Sequence, residues 1–218
     1  MRMIRPQLQL DTLSQLVSDC PYPPEMEKIE RGILGAGFYP GAQGFTSEQF
    51  PYGGVLLLGR DFGVLDYYTR LAGEPARDET ATTWTRTRDI YIPCFSHLPV
   101  WCTNYLLGAR RGGPSIGNVK ERITPDAWRS FEAYCWRFLQ AQVLLQRPRF
   151  VVVLGAFNRE DLQVSNRLGP SPHGRHLFHD GTAQHSAVIA FADHPYSLIP
   201  NSRRQSAREA MAGLLSRS

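Results

Sequence analysis

A few short, unbroken apolar runs restrict the architecture of this chain more than anything else in it. Val55-Leu56-Leu57-Leu58 comes first, Phe150-Val151-Val152-Val153-Leu154-Gly155 follows far downstream, and Ala187-Val188-Ile189-Ala190-Phe191 comes later still. A strand with one wet face alternates apolar and polar residues, so a short run without alternation predicts a strand buried on both faces. Val100-Trp101-Cys102-Thr103 is a further candidate between the first and second runs. Thr124-Pro125-Asp126 predicts a helix start, a capping residue followed by proline at the first helical position. Trp128, Phe131, Cys135, Phe138 and Leu139 then recur on one helical face until Arg147-Pro148 ends the run. Asp11 is placed to cap a short helix over Thr12–Val17, the stretch from Pro21 to Gly54 reads as irregular, and a polar helix is expected from Ser202 to about Ser216. Buried strands alternating with helices predict an α/β fold, a three-layer α/β/α sandwich around a central, mainly parallel four-stranded sheet. All 218 residues are read as one domain, with residues 1–53 packed on it as an irregular and helical segment.

Composition removes other classes. With 42% hydrophobic and 20% charged residues, disordered, collagen-like and coiled-coil chains are excluded. No apolar run approaches the roughly 20 residues that span a bilayer. No apolar segment backs the charges of Met1-Arg2-Met3-Ile4-Arg5-Pro6, so a secretory signal is not expected and a cytoplasmic protein is. The net charge is +4, and only Lys28 and Lys120 are lysines. Arginine suits bidentate phosphate contacts, but GC-rich codons produce the same excess, so charge alone selects no partner. Cys20, Cys94, Cys102 and Cys135 lack paired spacing, which predicts no zinc or iron–sulfur site. Cys102 and Cys135 fall on apolar elements and read as small buried hydrophobes.

In parallel sheets, ligands sit beyond the carboxyl ends of the strands. The residues there are Gly59-Arg60-Asp61-Phe62-Gly63 after the first strand, Asn104 after Thr103, and Asp193-His194-Pro195-Tyr196-Ser197-Leu198 after the last. Each polar group has an ordinary reading: Asp61 satisfying turn amides, Asn104 capping a turn, His194 on the surface. A carboxylate, a carboxamide and an imidazole converging on one rim favour a site instead. An Asp and a His can activate water and stabilise a leaving anion, and an Asn can read a base edge.

In this order and strand context the three segments resemble the motifs of the uracil-DNA glycosylase superfamily: G-Q-D-P-Y-H or G-E-A-P-G after the first strand, an Asn after a later one, and H-P-S after the last. The resemblance spans roughly Gly54 to Arg204. It implies that Asp61 orients the attacking water, that His194 stabilises the departing base, and that Asn104 reads a pyrimidine. Gly59, Arg60, Phe62, Gly63 and Tyr68 would line the base pocket, with Phe62, Tyr67 or Tyr68 stacking on the base. Leu198 stands where members place a wedge inserted into the duplex. Tyr196 of the same segment is a DNA-binding candidate, and the arginines Arg110, Arg111, Arg203 and Arg204 flank two of these loops as phosphate-binding candidates.

The resemblance thus implies a monofunctional DNA glycosylase that flips a base from DNA and hydrolyses its N-glycosidic bond. No lysine lies near the motifs to form a Schiff base. No metal, cofactor, membrane or obligate protein partner is implied, and a monomer acting on DNA is expected. Gly63 replaces the Tyr that walls off C5 of uracil, so the pocket is expected to be open there. Uracil and 5-substituted pyrimidines are both admissible. Alternatives are a phage-defence enzyme excising a bulky modified cytosine such as glucosylated 5-hydroxymethylcytosine, a non-catalytic nucleic-acid-binding module, and a hydrolase of free nucleosides or nucleotides. Arg60 stands where the backbone does the work, so its side chain is expected to be silent, while Tyr196 in place of Ser alters local hydrogen bonding. Asp61-Phe62-Gly63 spells a kinase metal motif without its companion loops. Gly32-Ile33-Leu34-Gly35-Ala36-Gly37 has the wrong spacing for a dinucleotide loop. His173, His176 and His179 are expected on an unliganded Pro/Gly-rich loop.

Overall fold

The computed structural model describes residues 6–28, 38–39, 52–66, 85–112, 119–155, 167–168, 174–195 and 201–216. Helix α1 (Pro6–Ser18) leads to β1 (Met26–Glu27) and β2 (Phe38–Tyr39). Then come β3 (Val55–Gly59), a π-helical turn (Thr87–Tyr91) continuing into a 3-10 turn (Ile92–Phe95), β4 (Val100–Asn104) and β5 (Ala109–Arg110). A 3-10 turn (Val119–Arg122) precedes helix α2 (Pro125–Gln146), β6 (Phe150–Leu154), β7 (Arg175–His179), β8 (Gln184–Ala192) and helix α3 (Asn201–Leu215).

The chain is α/β. Among the described residues its main sheet has six strands in the order β2-β4-β3-β6-β8-β7, parallel except for the last pair. The four strands expected from the apolar runs are its centre. The expectation of four strands is corrected at both edges. β2 is two residues long and too short to leave a pattern. β7 occupies part of the stretch expected to be a histidine-bearing loop, and it pairs antiparallel with β8 from Arg175↔Val188 to His179↔Gln184. The hairpin turn between them is made by Asp180, whose Oδ1 accepts from the Thr182 and Ala183 amides at 2.8 Å each, with Gly181 at φ 93°. Those hydrogen bonds hold the exposed Asp180 carboxyl below its ordinary range. His176 stands edge-on to Phe178 and Trp136.

Successive residues of a strand point to opposite faces, so each continuous apolar run feeds two cores. Leu56, Leu58, Val151, Val153 and Ile189 pack on one side with Leu13 and Val17 of α1 and Phe131, Cys135, Phe138 and Leu139 of α2. Val55, Leu57, Val152, Leu154 and Ala190 pack on the other with Ile90, Tyr91 and Phe95 of the two turns and Met211 and Leu214 of α3. Leu57 is fully buried, and truncating such a side chain to alanine costs about 2–5 kcal/mol. Cys102 and Cys135 are buried within these cores, as expected.

Helix α2 matches its expected span, and Pro148 stops it, because the residue before a proline is driven out of the helical region. Arg147 there adopts a left-handed φ of 49°. Thr124 caps through its carbonyl, which accepts from the Trp128 amide at 2.8 Å, and its side chain makes no cap hydrogen bond. Helix α1 begins at Pro6 rather than after Asp11, which corrects the expected Asp11 cap. Proline is favoured at a first helical position, and Asp11 sits exposed within the helix. Among the described residues no helix is long and apolar enough to cross a membrane.

Candidate active site

Because β4, β3, β6 and β8 run parallel, their carboxyl ends open onto one rim. Gly59 pairs with Asn104 and Leu154 with Ala192, which brings the segments after β3, β4 and β8 to the same level. The first two are laced together. The Tyr105 amide donates to Gly59 O at 2.9 Å, Leu106 to Arg60 O at 2.8 Å, and Arg110 to Gly63 O at 2.8 Å.

Asp61 is the polar centre. Its side chain is only 6% exposed. Oδ1 accepts from the Gly63 amide at 2.8 Å, and Oδ2 accepts from Arg60 Nε at 3.0 Å. Arg110 lies on the Oδ1 side at 3.7 Å. The ordinary reading of Asp61 as a turn acceptor is therefore realised, and two guanidinium groups are added to it. Gly63 makes that turn at φ 79°, and a Cβ there would meet open space.

Two expectations are corrected here. Arg60 is not silent, since its side chain grips Asp61. Arg110 was expected to reach phosphate from the surface, yet it is buried at 4% exposure. The cause is topological. β5 pairs antiparallel with β1, and Arg110 bridges in parallel to Val64, so the residue lies between two loops and serves as an internal counter-charge. Arg111 is exposed, ion-paired with Glu27, and its carbonyl accepts from Arg122 at 2.9 Å.

His194 follows β8 and is partly buried. Burial lowers its pKa below the ordinary 6.5, the Arg60 cation lowers it further, and Asp61 opposes both. The imidazole is thus neutral at pH 7, with one ring N–H to donate and one lone pair to accept. Its backbone is steadied from the opposite face of the sheet: buried Tyr91 donates through its hydroxyl to Asp193 O at 2.6 Å, and Arg86 reaches Pro195 O at 3.5 Å. Nothing in the sequence distinguishes Tyr91 from other tyrosines.

Asn104 is buried at the end of β4, as are Gly59 and Phe62. The next residue, Tyr105, is fully buried, and its hydroxyl donates to Glu132 Oε1 on α2. Burial and the Glu132 charge push the Tyr105 phenol well up. Arg167 binds the other Glu132 oxygen at 3.1 Å and lies over the Trp136 ring. Glu132 had a sequence signal: it stands four residues after Trp128, beside Phe131, on the apolar face of its helix. Tyr67, Tyr68, Tyr196 and Leu198 lie outside the described residues. Arg203 and Arg204 begin α3, with side chains outside them.

The rim therefore joins a buried carboxylate, a neutral imidazole and a carboxamide, with arginine at the carboxylate. Such a set can orient water, accept a proton or stabilise an anion. A scan against protein-family models and a search of curated proteins each gave no match to the chain.

Proposed function

We propose that this protein is a monofunctional DNA glycosylase of the uracil-DNA glycosylase type, built as a three-layer sandwich, that hydrolyses the N-glycosidic bond of an extruded pyrimidine. The observation that carries the reading is the meeting of Asp61, Asn104 and a neutral His194 at one carboxyl rim, with His194 under the charge of Asp61 and Arg60.

The chemistry asks for these groups. Cleavage of a glycosidic bond develops positive charge on the sugar and negative charge on the departing base. A carboxylate accepts at about four lone-pair sites, so the Gly63 amide and Arg60 leave acceptor capacity on Asp61 for the attacking water. The same negative charge balances the sugar cation. With its pKa lowered, His194 keeps one ring N–H, which donates a hydrogen bond to the developing oxyanion. The Asn104 carboxamide reads the pyrimidine edge. The open space at Gly63 supports a pocket that admits a substituent at C5, so the target is uracil or a 5-substituted pyrimidine. Excision of a bulky modified cytosine from phage DNA is the defence version of the same reaction.

A binding module is the second reading, favoured by one observation: both Asp61 oxygens already have protein donors. The two readings separate on duplex and single-stranded oligonucleotides carrying uracil, thymine, 5-hydroxymethylcytosine and its glucosylated form. Abasic sites from one of them, lost in Asp61→Asn and His194→Ala, are expected. DNA binding with no abasic product from any base would sink the enzyme reading and leave the module.

A further inference from the structure

We propose that Arg60 is the positioning residue of this site, gripping the Asp61 carboxylate through Nε from the same turn. The role rests on the function proposed above and adds a residue to it.

The geometry sets Arg60 apart from Arg110. Arg110 is buried and stands farther from the carboxylate, 3.7 Å against 3.0 Å, on the oxygen that the Gly63 amide already binds. Arg60 holds the opposite oxygen and is 28% exposed, so it faces the solvent side of the rim. Adjacent residues in an extended segment normally point apart. Here the turn closed by the Asp61–Gly63 hydrogen bond brings the side chains of Arg60 and Asp61 together. The carboxylate is thereby pinned from two sides, by a backbone amide and by a planar guanidinium.

His194 makes Arg60 more than a local anchor. Among the described residues, Arg60 and Asp61 from the loop after β3 act on the imidazole, Asp193 adjoins it in sequence, and Tyr91 and Arg86 hold the backbone carbonyls of Asp193 and Pro195 on either side of it. Of these, Arg60 and Asp61 act on the ring charge, in opposite directions. An arginine that draws off Asp61's influence and adds its own cation keeps the imidazole neutral. A protonated His194 would attract Asp61, competing with water for the carboxylate.

Two substitutions separate grip from charge. Arg60→Lys keeps the cation and loses the flat guanidinium. Arg60→Gln loses the charge. Labelled-histidine NMR on the full chain, with His194→Ala assigning the signal, reads the ring directly. The His194 midpoint is expected below 6.5 in the unaltered protein, higher in Arg60→Gln, and near the unaltered value in Arg60→Lys. On the oligonucleotide that is cleaved, both variants are expected to lose kcat by on the order of tenfold to a hundredfold through a misplaced carboxylate. Only Arg60→Gln is expected to move the acid limb of the rate profile to higher pH. An unchanged kcat in Arg60→Gln, or a His194 midpoint that does not move, overturns the proposal. The expected NMR shifts in a protein that cleaves no oligonucleotide would leave the Arg60 role standing and overturn the glycosylase reading instead.

Discussion

Two arginine–carboxylate pairs in this molecule are almost the same by measure and differ in what surrounds them. Arg60–Asp61 at the sheet rim has an N–O distance of 3.0 Å, with side chains 28% and 6% exposed. Arg167–Glu132 against helix α2 has 3.1 Å, with 29% and 6%. Distance and burial do not tell a site from a strut. The third partner does. Glu132 meets the hydroxyl of fully buried Tyr105 inside the hydrophobic core, whereas Asp61 meets a turn amide, a second arginine and the field of a neutral imidazole. Both acids are held by their donors, but Glu132 is held inside the core, whereas Asp61 stands at the rim within reach of the charge of a titratable imidazole.

The strongest attempt to break this contrast is to make both acids into their amides. Under the proposed reaction, Asp61→Asn is expected to reduce turnover per folded molecule by about 10²–10⁴-fold, the usual worth of a positioned acid–base group, and to lower stability as well, because buried Arg110 loses its counter-charge. Glu132→Gln is expected to lower stability by about 1–3 kcal/mol in urea while leaving turnover per folded molecule within a few-fold. The lower part of the range applies because Arg167 is partly exposed and can be rehydrated. Equal losses of turnover in the two variants, at a temperature where both are folded, would erase the distinction.

Gly63→Ala probes the turn through its stability. A Cβ meets no neighbour, yet φ is 79°, so the cost is backbone strain of about 1–2 kcal/mol, visible as a lower melting temperature. On the strut side, Tyr105→Phe removes one hydrogen bond and leaves Arg167 on Glu132, so about 1 kcal/mol is expected by chemical denaturation.

The smallest effect is on acid stability. His194 and His176 both have folded pKa values below the ordinary 6.5. In the window between 6.5 and those lowered values the unfolded chain binds more protons, so stability present near neutrality is lost as pH falls through it. His194→Gln is expected to flatten part of the fall in melting temperature between pH 7 and pH 5. The part due to His176, lowered by burial and by His179, is expected to stay.

The centre of this fold was legible because apolar runs at both-face-buried strands carry a strong pattern. Its edges were not. β8 begins at Gln184, before the apolar run, since that polar half pairs only with β7 and is largely exposed there. β7 itself, Arg-His-Leu-Phe-His, has only Phe178 fully buried, and its best signal was the Asp180-Gly181 turn that follows it. At the rim, the parallel sheet rule located Asp61, Asn104 and His194. The roles of Arg60 and Arg110 were hidden for opposite reasons. Arg60 depends on a turn that folds a side chain back on its neighbour. Arg110 depends on a two-residue strand that pairs with a segment near the start of the chain.

The lacing between the loops after β3 and β4 carries a mechanical consequence. Three backbone hydrogen bonds tie Gly59, Arg60 and Gly63 to the chain that leaves Asn104. Such ties give a push on the carboxamide a short covalent and hydrogen-bonded route to the carboxylate. Under the proposed reaction, a base that seats crookedly would drag the water-holding group out of line. Discrimination would then be felt as lost alignment in the chemical step, even for a base that binds tightly.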